Sequence, residues 1–335
     1  MKLLHWTLFV DLLGYRDING DVNNLEKAQE LIDFMKSNVE AFDKQNNNPE
    51  LKEYYAKSNF DLYKHYDISF AFISDSLIVS YTPNLELDFD EKVALSHSSN
   101  MLLILLQRLR AFIYKCVLEK QVFLRGGISN HFSYIDGAFA VGKGVGSAYV
   151  AENQAKYPRV ILAEDVVQNT ELMKSIDWLS QLMYKADLIV NDNGTRYLDF
   201  NKFGIASLDA RSENKFVIQS ASSNPSKYKE TIQMEGGYLK VTKEAIEFQI
   251  KKALTLKGSP DKNKLYESLK DKYIWLSEYH NRSCIDFSDL KIAIPGREIM
   301  KNPATFQIFQ ELSRMIPMIK DLCIDEALLQ QLKVD

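Results

Sequence analysis

The 335-residue sequence predicts an α/β fold, in which helices pack on one sheet, followed by a mainly helical C-terminal region. In about the first 165 residues, short apolar runs alternate with segments whose apolar side chains recur at helical spacing. From about residue 227 onward the pattern is almost entirely helical. Hydrophobic residues make up 46% of the chain and charged residues 26%, as in ordinary globular proteins.

The first predicted strand is followed by two helices. Residues 3–10 are bulky and apolar, which predicts a strand that ends at Asp11. Residues 24–44 carry apolar side chains at helical intervals, and residues 50–65 predict a second, shorter helix. A strand followed by paired helices indicates a sheet with helices packed on it.

A hairpin and a long apolar helix come next. Residues 67–81 read as two strands around a tight Ser-Asp-Ser turn at 74–76. Residues 96–118 predict the most apolar helix, and residues 121–129 predict the strand that follows it. The order up to this point is therefore β-α-α-β-β-α-β.

The remaining elements of the first half are shorter. Residues 133–141 predict one strand, residues 142–155 a helix with a Gly-rich entry, and residues 159–163 a further strand. Residues 182–203 predict a hairpin whose turn is the dipeptide at 193–194, Asn-Gly, because that pair favours tight hairpin turns.

The C-terminal region is predicted to contain two long helices. They cover residues 227–258 and 260–281, and the small polar segment at 220–226 is the best linker by composition. We therefore expect a catalytic domain at 1–218 and a helical region at 227–335.

Composition excludes several classes of protein. The net charge of -4 gives no overall basic character, so nucleic acid is not favoured as a partner, although local basic patches remain open. The three cysteines form no CxxC pair and the five histidines are scattered, so neither a zinc site nor a disulfide framework is predicted. No export signal stands out, and Gln107, Arg108 and Arg110 interrupt the most apolar helix. We expect a cytoplasmic protein that binds no membrane and no nucleic acid.

Two aspartates form the candidate site. Asp11 follows an apolar strand, where a carboxylate is costly to bury unless it is paired or bound to a metal. In the predicted topology Asp11 lies beside the hairpin whose turn holds Asp75, and neighbouring strands are about 5 Å apart. Carboxylate oxygens suit Mg²⁺ or Mn²⁺. Taken singly, Asp11 also suits a helix cap and Asp75 an ordinary turn, but together they favour a metal site.

The turn after Asp11 adds a second feature. Residues 12–15, Leu-Leu-Gly-Tyr, are predicted to present successive backbone N–H groups near the start of a helix. Such groups bind phosphate. A metal, two carboxylates and a set of amides together describe a nucleoside triphosphate site.

These motifs resemble those of the class III nucleotidyl cyclases. The matching residues are Phe9, Asp11, Gly14, Tyr15, Ser74, Asp75, Arg125, Gly127 and Ile128. The resemblance covers residues 1 to about 165 and implies an α+β sheet of the ferredoxin-like or palm type. It also implies a homodimer, because residues of the second subunit complete each site in that family.

The resemblance implies roles for the residues of the turn. Asp11 and Asp75 would bind two metal ions, Mg²⁺ or Mn²⁺, with the carbonyl of Leu12 as a further ligand. The phosphates would be held by the backbone of Leu13, Gly14 and Tyr15. The implied reaction is in-line attack of the ribose 3′ oxygen on the α-phosphorus, with release of pyrophosphate.

The sequence departs from the family pattern in one helix. The family carries an Asn and an Arg there that stabilise the transition state, whereas residues 145–153 hold neither at the expected spacing. Positive charge must then come from elsewhere, because a pentacoordinate phosphorus needs it. The candidates are Arg125, Arg159, Lys143 and Lys156. Arg125 and Arg159 are the predicted catalytic residues, although each candidate also suits a structural or surface role.

A second departure concerns the base. Purine cyclases of the family read the base with a Lys four residues before the second Asp, where this chain has Ala71. Ala71 and Ser74 are therefore predicted to lie at the nucleotide. In lacking that Lys, the chain resembles the standalone bacterial cyclases of Pycsar anti-phage defence, which make cyclic UMP or cyclic CMP. The resemblance thus implies UTP or CTP as substrate.

Two other functions stay open on the sequence. The missing Asn and Arg also suit a catalytically silent, cyclase-like regulator that binds a nucleotide. A palm-type sheet also occurs in enzymes that form linear or cyclic oligonucleotides.

Overall fold

The computed structural model describes residues 1–39, 42, 65–84, 88–184, 186–202, 225–256, 262–284 and 288–294. The chain divides into two compact units. The first comprises Met1–Met183 and Asp187–Phe200, and the second comprises Tyr184–Ala186 and Asn201–Asp335. Residues 50–64 of the predicted second helix and the predicted domain boundary at 218 lie outside the described residues.

A mixed seven-stranded sheet forms the centre of the first unit. Its strands are β1 (Trp6–Leu13), β2 (Tyr66–Ile73), β3 (Ser76–Pro83), β4 (Phe123–Ser129), β7 (Val160–Leu162), β8 (Ile189–Asp192) and β9 (Thr195–Leu198). Their order is β2-β3-β1-β4-β7-β9-β8, and the β4–β7 pair is parallel while the others are antiparallel. The predicted α+β sheet of the palm type is confirmed.

Helices accompany the sheet in the first unit. They are α1 (Tyr15–Gly20), α2 (Leu25–Val39), α3 (Glu91–Lys120), α4 (Lys143–Gln154), α5 (Glu164–Gln168) and α6 (Thr170–Tyr184), whose last residue belongs to the second unit. The long apolar helix predicted at 96–118 is α3, and it begins five residues earlier because Asp90 accepts a hydrogen bond from the Lys92 amide at its N-terminus.

Alternation along β1 separates two environments. Leu8 and Val10 are fully buried, on the face where the Trp6 indole donates a hydrogen bond to Ser98 of α3 at 2.9 Å. Phe9 points to the opposite face, and its ring contacts Tyr149 of α4 with centroids 5.4 Å apart. Asp11 lies two residues further along β1 and therefore on the same face as α4.

Helix α4 packs very closely on β4. A Cβ added at Gly127 would overlap the Ala148 carbonyl oxygen and the Ala151 side chain. Only glycine allows this approach of the two backbones. The close approach brings the C-terminal half of α4 over the strand that pairs with Asp11.

Two sequence predictions about strands are wrong. The first strand does not end at Asp11, because β1 continues to Leu13 and Asp11 pairs within it. Residues 133–141 do not form one strand. The chain turns at Gly137, so that β5 (Tyr134–Asp136) and β6 (Phe139–Val141) form a separate antiparallel ribbon.

The region after β7 gives one confirmed and one missed element. The predicted Asn-Gly hairpin is confirmed as β8 and β9, and both Asn193 and Gly194 have positive φ angles. Helix α6 was not predicted, although Leu172, Met173 and Ile176 are buried at helical spacing.

The second unit contains the two predicted long helices, α7 (Pro225–Leu254) and α8 (Asn263–Ser283), and a short 3₁₀ turn at Ser288–Leu290. The Tyr273 hydroxyl of α8 donates a hydrogen bond to Gln249 of α7 at 3.2 Å. The described helices of both units include none that is long and apolar enough to cross a membrane.

Candidate functional site

The structure brings the two predicted aspartates together. The β1–β3 register places Asp11 opposite Ser76, next to the hairpin turn that contains Asp75. The Leu12 amide donates a hydrogen bond to the Asp75 backbone oxygen at 3.0 Å. The two carboxylates are close enough that the charge of Asp75 helps to raise the pKa of Asp11, after the larger effect of burial.

Asp11 lies in a field of excess negative charge. Burial, followed by the charges of Asp75 and Glu152, raises the pKa of Asp11 to about 6, while the Arg125 guanidinium acts in the opposite direction. The Asp11 side chain is 21% exposed, so it remains accessible to a ligand. The site carries more carboxylate than one arginine compensates.

Arg125 projects from β4 directly beside Asp11. The register pairs Asp11 with Arg125 across the β1–β4 ladder. Both Nε and Nη2 of Arg125 lie 2.5 Å from one carboxylate oxygen of Glu152. Nη2 lies 3.7 Å from the Asp11 Oδ2 atom, outside hydrogen-bond distance. Arg125 is thus bound to Glu152 and faces Asp11 at longer range.

The turn after β1 is shaped by Gly14. Its φ of +91° is a left-handed conformation that favours glycine, and helix α1 starts immediately after it. The Gly14 carbonyl accepts a hydrogen bond from the Asp17 amide at 3.0 Å. Burial and the Asp75 charge raise the pKa of the Tyr15 phenol, so Tyr15 lies near the aspartate pair. The predicted phosphate-binding residues 13–15 therefore adjoin the carboxylates.

The two predicted nucleotide residues of the hairpin differ in exposure. Ser74 occupies the turn with a φ of +57° and is exposed. Ala71 is only 2% exposed and belongs to a cluster of buried residues with Ile78 and Ile135. Its methyl group packs among apolar side chains and has no hydrogen-bonding atom.

The second predicted catalytic residue, Arg159, has other partners. Its Nε donates to the Ala155 carbonyl at 3.0 Å and its Nη1 pairs with Asp192 at 3.1 Å. The guanidinium also lies over the rings of Tyr157 and Tyr197. None of these partners is another predicted site residue. Of the lysine candidates, Lys156 contacts the Tyr157 ring and Lys143 is the first residue of α4.

The donor atoms at this position fit a divalent cation. Mg²⁺ is usually bound by one or two carboxylates together with water and substrate phosphates. Asp11 and Asp75 supply such a pair, and a cation bound between them would offset the repulsion of their charges. Within the described residues, no group of three or more His, Cys, Asp or Glu side chains is arranged to hold an ion. Further ligands would therefore have to be backbone oxygens, water or phosphate.

Glu152 was missed by sequence reasoning. It lies on α4 and is only 3% exposed, and its charge is one of the causes of the raised pKa of Asp11. Glu152 follows Ala148 by four residues and therefore lies on the same face of α4, and Ala148 packs on the strand that carries Arg125. A carboxylate on an otherwise small-residue helix face indicates a buried cation opposite it.

No protein-family model and no curated protein matches the chain. Among solved structures, the guanylyl cyclase Cya2 is similar at 12% sequence identity, with a TM-score of 0.29. The similarity covers 58% of this chain and 91% of that chain. This similarity is too weak to indicate a function, which must be inferred from the residues around Asp11.

Proposed function

We propose that this protein is a metal-dependent nucleotide cyclase. It converts a nucleoside triphosphate, UTP or CTP, to a 3′,5′-cyclic monophosphate and pyrophosphate. It acts in the cytoplasm as a homodimer and supplies a second messenger in anti-phage defence. Two ions of Mg²⁺ or Mn²⁺ serve each site.

The juxtaposition of Asp11 and Asp75 carries this proposal. Two neighbouring carboxylates in a sheet repel each other, which increases the free energy needed to bury either one in its charged form. A bound cation or a proton compensates for this repulsion. The pair adjoins the Gly14 turn, whose backbone suits a polyphosphate. Carboxylates beside a phosphate-binding turn are the elements that phosphoryl transfer needs.

Each group of the chain has a distinct task in the proposed reaction. The Asp11 and Asp75 carboxylates, with the Leu12 carbonyl, would hold the cations, and the backbone of residues 13–15 would orient the β- and γ-phosphates. A bond forms between the ribose 3′ oxygen and the α-phosphorus, and the bond from that phosphorus to the bridging oxygen of pyrophosphate breaks. The hydroxyl proton passes to water. Bound divalent ions would lower the pKa of the attacking hydroxyl and balance charge on the leaving group.

Positive charge for the transition state is assigned to Arg125. It is the arginine that pairs across the strands with Asp11, and its side chain is 22% exposed. A fixed cation near the reacting phosphorus stabilises charge that develops in the transition state. Arg159 is less suited than Arg125 to stabilise the transition state, because its guanidinium forms an ion pair with Asp192.

The absence of a base-reading lysine supports a pyrimidine substrate. Ala71 presents only a methyl group, closed off by Ile78 and Ile135. Ser74 in the exposed turn has a hydroxyl that can donate to or accept from a nucleotide. Discrimination between uracil and cytosine depends on one or two such contacts.

A hydrophobic surface supports the homodimer. The β5–β6 ribbon turns Ile135 inward, whereas Tyr134, Phe139 and Val141 on its other side are more than half exposed, as is Phe132 just before the ribbon. Tyr149 and Val150 of α4 are exposed to a similar degree. Contiguous exposed apolar side chains mark interaction surfaces.

A catalytically silent nucleotide-binding regulator is the second candidate. Arg125 and Arg159 are each engaged by a carboxylate, and α4 carries Gly146 and Val150 where the family pattern has Asn and Arg. In that case the aspartate pair would bind metal and nucleotide without turnover.

Incubation of the purified chain with Mn²⁺ and each of ATP, GTP, CTP and UTP separates the candidates. The cyclase yields a cyclic monophosphate and one pyrophosphate per turnover, identified by mass. Nucleotide binding without product from any of the four would instead support the regulator. Longer products, resolved by size and charge, would indicate an oligonucleotide-forming enzyme.

A further inference from the structure

The ion pair between Arg125 and Glu152 lies beside Asp11, since Nη2 of Arg125 is 3.7 Å from the Asp11 Oδ2 atom. Glu152 comes from α4, whose close packing on Gly127 fixes its distance from β4. Two guanidinium nitrogens converge on a single Glu152 oxygen, while the same guanidinium stays 3.7 Å from Asp11. The helix therefore determines which of two carboxylates Arg125 binds.

Burial makes this choice consequential. Glu152 is 3% exposed and Asp11 is 21% exposed, so Glu152 depends more strongly on a counter-charge. Because Arg125 is hydrogen-bonded to Glu152, its guanidinium stays outside hydrogen-bond distance of the Asp11 Oδ2 atom.

We infer that Glu152 is a positioning residue that withholds Arg125 from Asp11 and so keeps the aspartate pair available to a divalent cation. This inference deepens the proposed function and rests on it. Glu152 itself is not a metal ligand in this account, and it acts only through Arg125.

Removal of Glu152 should therefore release Arg125 toward the nearest remaining carboxylate. In Glu152→Gln the guanidinium has no buried anion, and Asp11 is already 3.7 Å from Nη2. A direct Arg125–Asp11 pair would occupy an oxygen needed by the cation and add a repelling charge. Loss of a residue that orients a metal ligand typically weakens metal binding about 10- to 100-fold.

A set of single and double variants tests the inference on the full chain without nucleotide. Mn²⁺ is titrated at pH 7.5 and free Mn²⁺ is measured by electron paramagnetic resonance, with folding checked by circular dichroism. The variants are Glu152→Gln, Arg125→Met and the double variant Arg125→Met with Glu152→Leu. The control is Glu171→Gln, an exposed carboxylate that pairs with Lys174 on a helix surface.

The inference predicts that Glu152→Gln binds Mn²⁺ about 10- to 100-fold more weakly than the wild type. The double variant should bind at least as tightly as the wild type, because the competing guanidinium is gone. The double variant also replaces a buried ion pair by apolar side chains, which keeps the test valid if Glu152→Gln fails to fold.

Weak binding by the double variant would overturn the inference, since Glu152 would then act on the cation directly. Unchanged binding by folded Glu152→Gln would overturn it as well. Failure of the wild type itself to bind Mn²⁺ would instead remove the proposed metal site, and the inference with it.

Discussion

Arg125 and Arg159 are placed in the same sheet layer, but their surroundings differ. Arg159 forms a closed arrangement: one carboxylate, one backbone carbonyl and two aromatic rings satisfy its guanidinium. Arg125 has Glu152 as its ion-pair partner, and further carboxylate charge from Asp11 and Asp75 lies beside it. The first cluster is balanced, whereas the second has an excess of negative charge.

This contrast separates structural ion pairs from a binding site. An ion pair of one cation and one carboxylate, such as Arg159 with Asp192, needs no further ligand because its charges compensate each other. An excess of carboxylate at a partly exposed position is destabilising by itself and becomes favourable when a cation binds. Binding of a cation at the aspartate pair is therefore expected to be favourable.

The largest expected effect is on turnover. Asp11→Asn or Asp75→Asn removes one of the two carboxylates, and cyclic product formation with Mn²⁺ should fall by at least about 1000-fold. The matched control is Asp192→Asn, which removes a carboxylate from the balanced cluster. Its turnover per folded molecule should match the wild type; a loss comparable to that of Asp11→Asn would mean that the Arg159 cluster acts in catalysis.

The next effect is a gain in stability. The pKa of Asp11 in the folded protein, about 6, lies above its ordinary value of 3.8. Protonated Asp11 thus favours folding below pH 4, and that contribution is lost as the pH rises through 6. At pH 8 without metal, Asp11→Asn should raise the free energy of unfolding by about 1 to 3 kcal/mol.

Urea unfolding at pH 8 and pH 4 with a chelator measures this gain. The difference between Asp11→Asn and the wild type should become much smaller at pH 4, because the wild-type carboxyl is then protonated in the folded state and close to its ordinary pKa of 3.8 in the unfolded state. A variant less stable than the wild type at pH 8 would contradict the proposed excess of negative charge.

The balanced cluster should respond in the opposite direction. Asp192→Asn leaves the Arg159 guanidinium, which is 7% exposed, without its carboxylate. The free energy of unfolding should fall by about 1 to 2 kcal/mol at pH 8. The same urea experiment measures this loss, and a stabilising effect would place the two clusters in one class.

The smallest effect is expected at the hairpin turn. Ser74 has a φ of +57°, a conformation that glycine adopts without strain. Ser74→Gly should change the free energy of unfolding by less than about 1 kcal/mol. Its effect on the Michaelis constant for UTP and CTP then reports on the Ser74 hydroxyl alone, and no change would show that the hydroxyl does not contact the nucleotide.

The sequence predicted those parts of the fold that depend on local pattern. The Ser-Asp-Ser turn, the Asn-Gly hairpin and the apolar helix α3 follow from turn chemistry and periodicity, and all three are present. The convergence of Asp11 and Asp75 followed from the pairing of β1 with that hairpin.

Features that depend on distant partners were not predictable. The end of β1 depends on its ladder with β4, which extends pairing as far as Leu13. The engagement of Arg125 by Glu152 and of Arg159 by Asp192 joins side chains 27 and 33 residues apart. No local signal specifies such partners, because they are selected by how α4 and β8 pack in three dimensions.

The most decisive measurement is an anomalous-scattering map at the manganese edge, from crystals grown with Mn²⁺ and a non-hydrolysable UTP or CTP analogue. The account predicts anomalous peaks about 2.1 to 2.3 Å from carboxylate oxygens of both Asp11 and Asp75. It also predicts that the triphosphate lies along the Gly14 turn. Ordered analogue density with no manganese peak between the two carboxylates would contradict it.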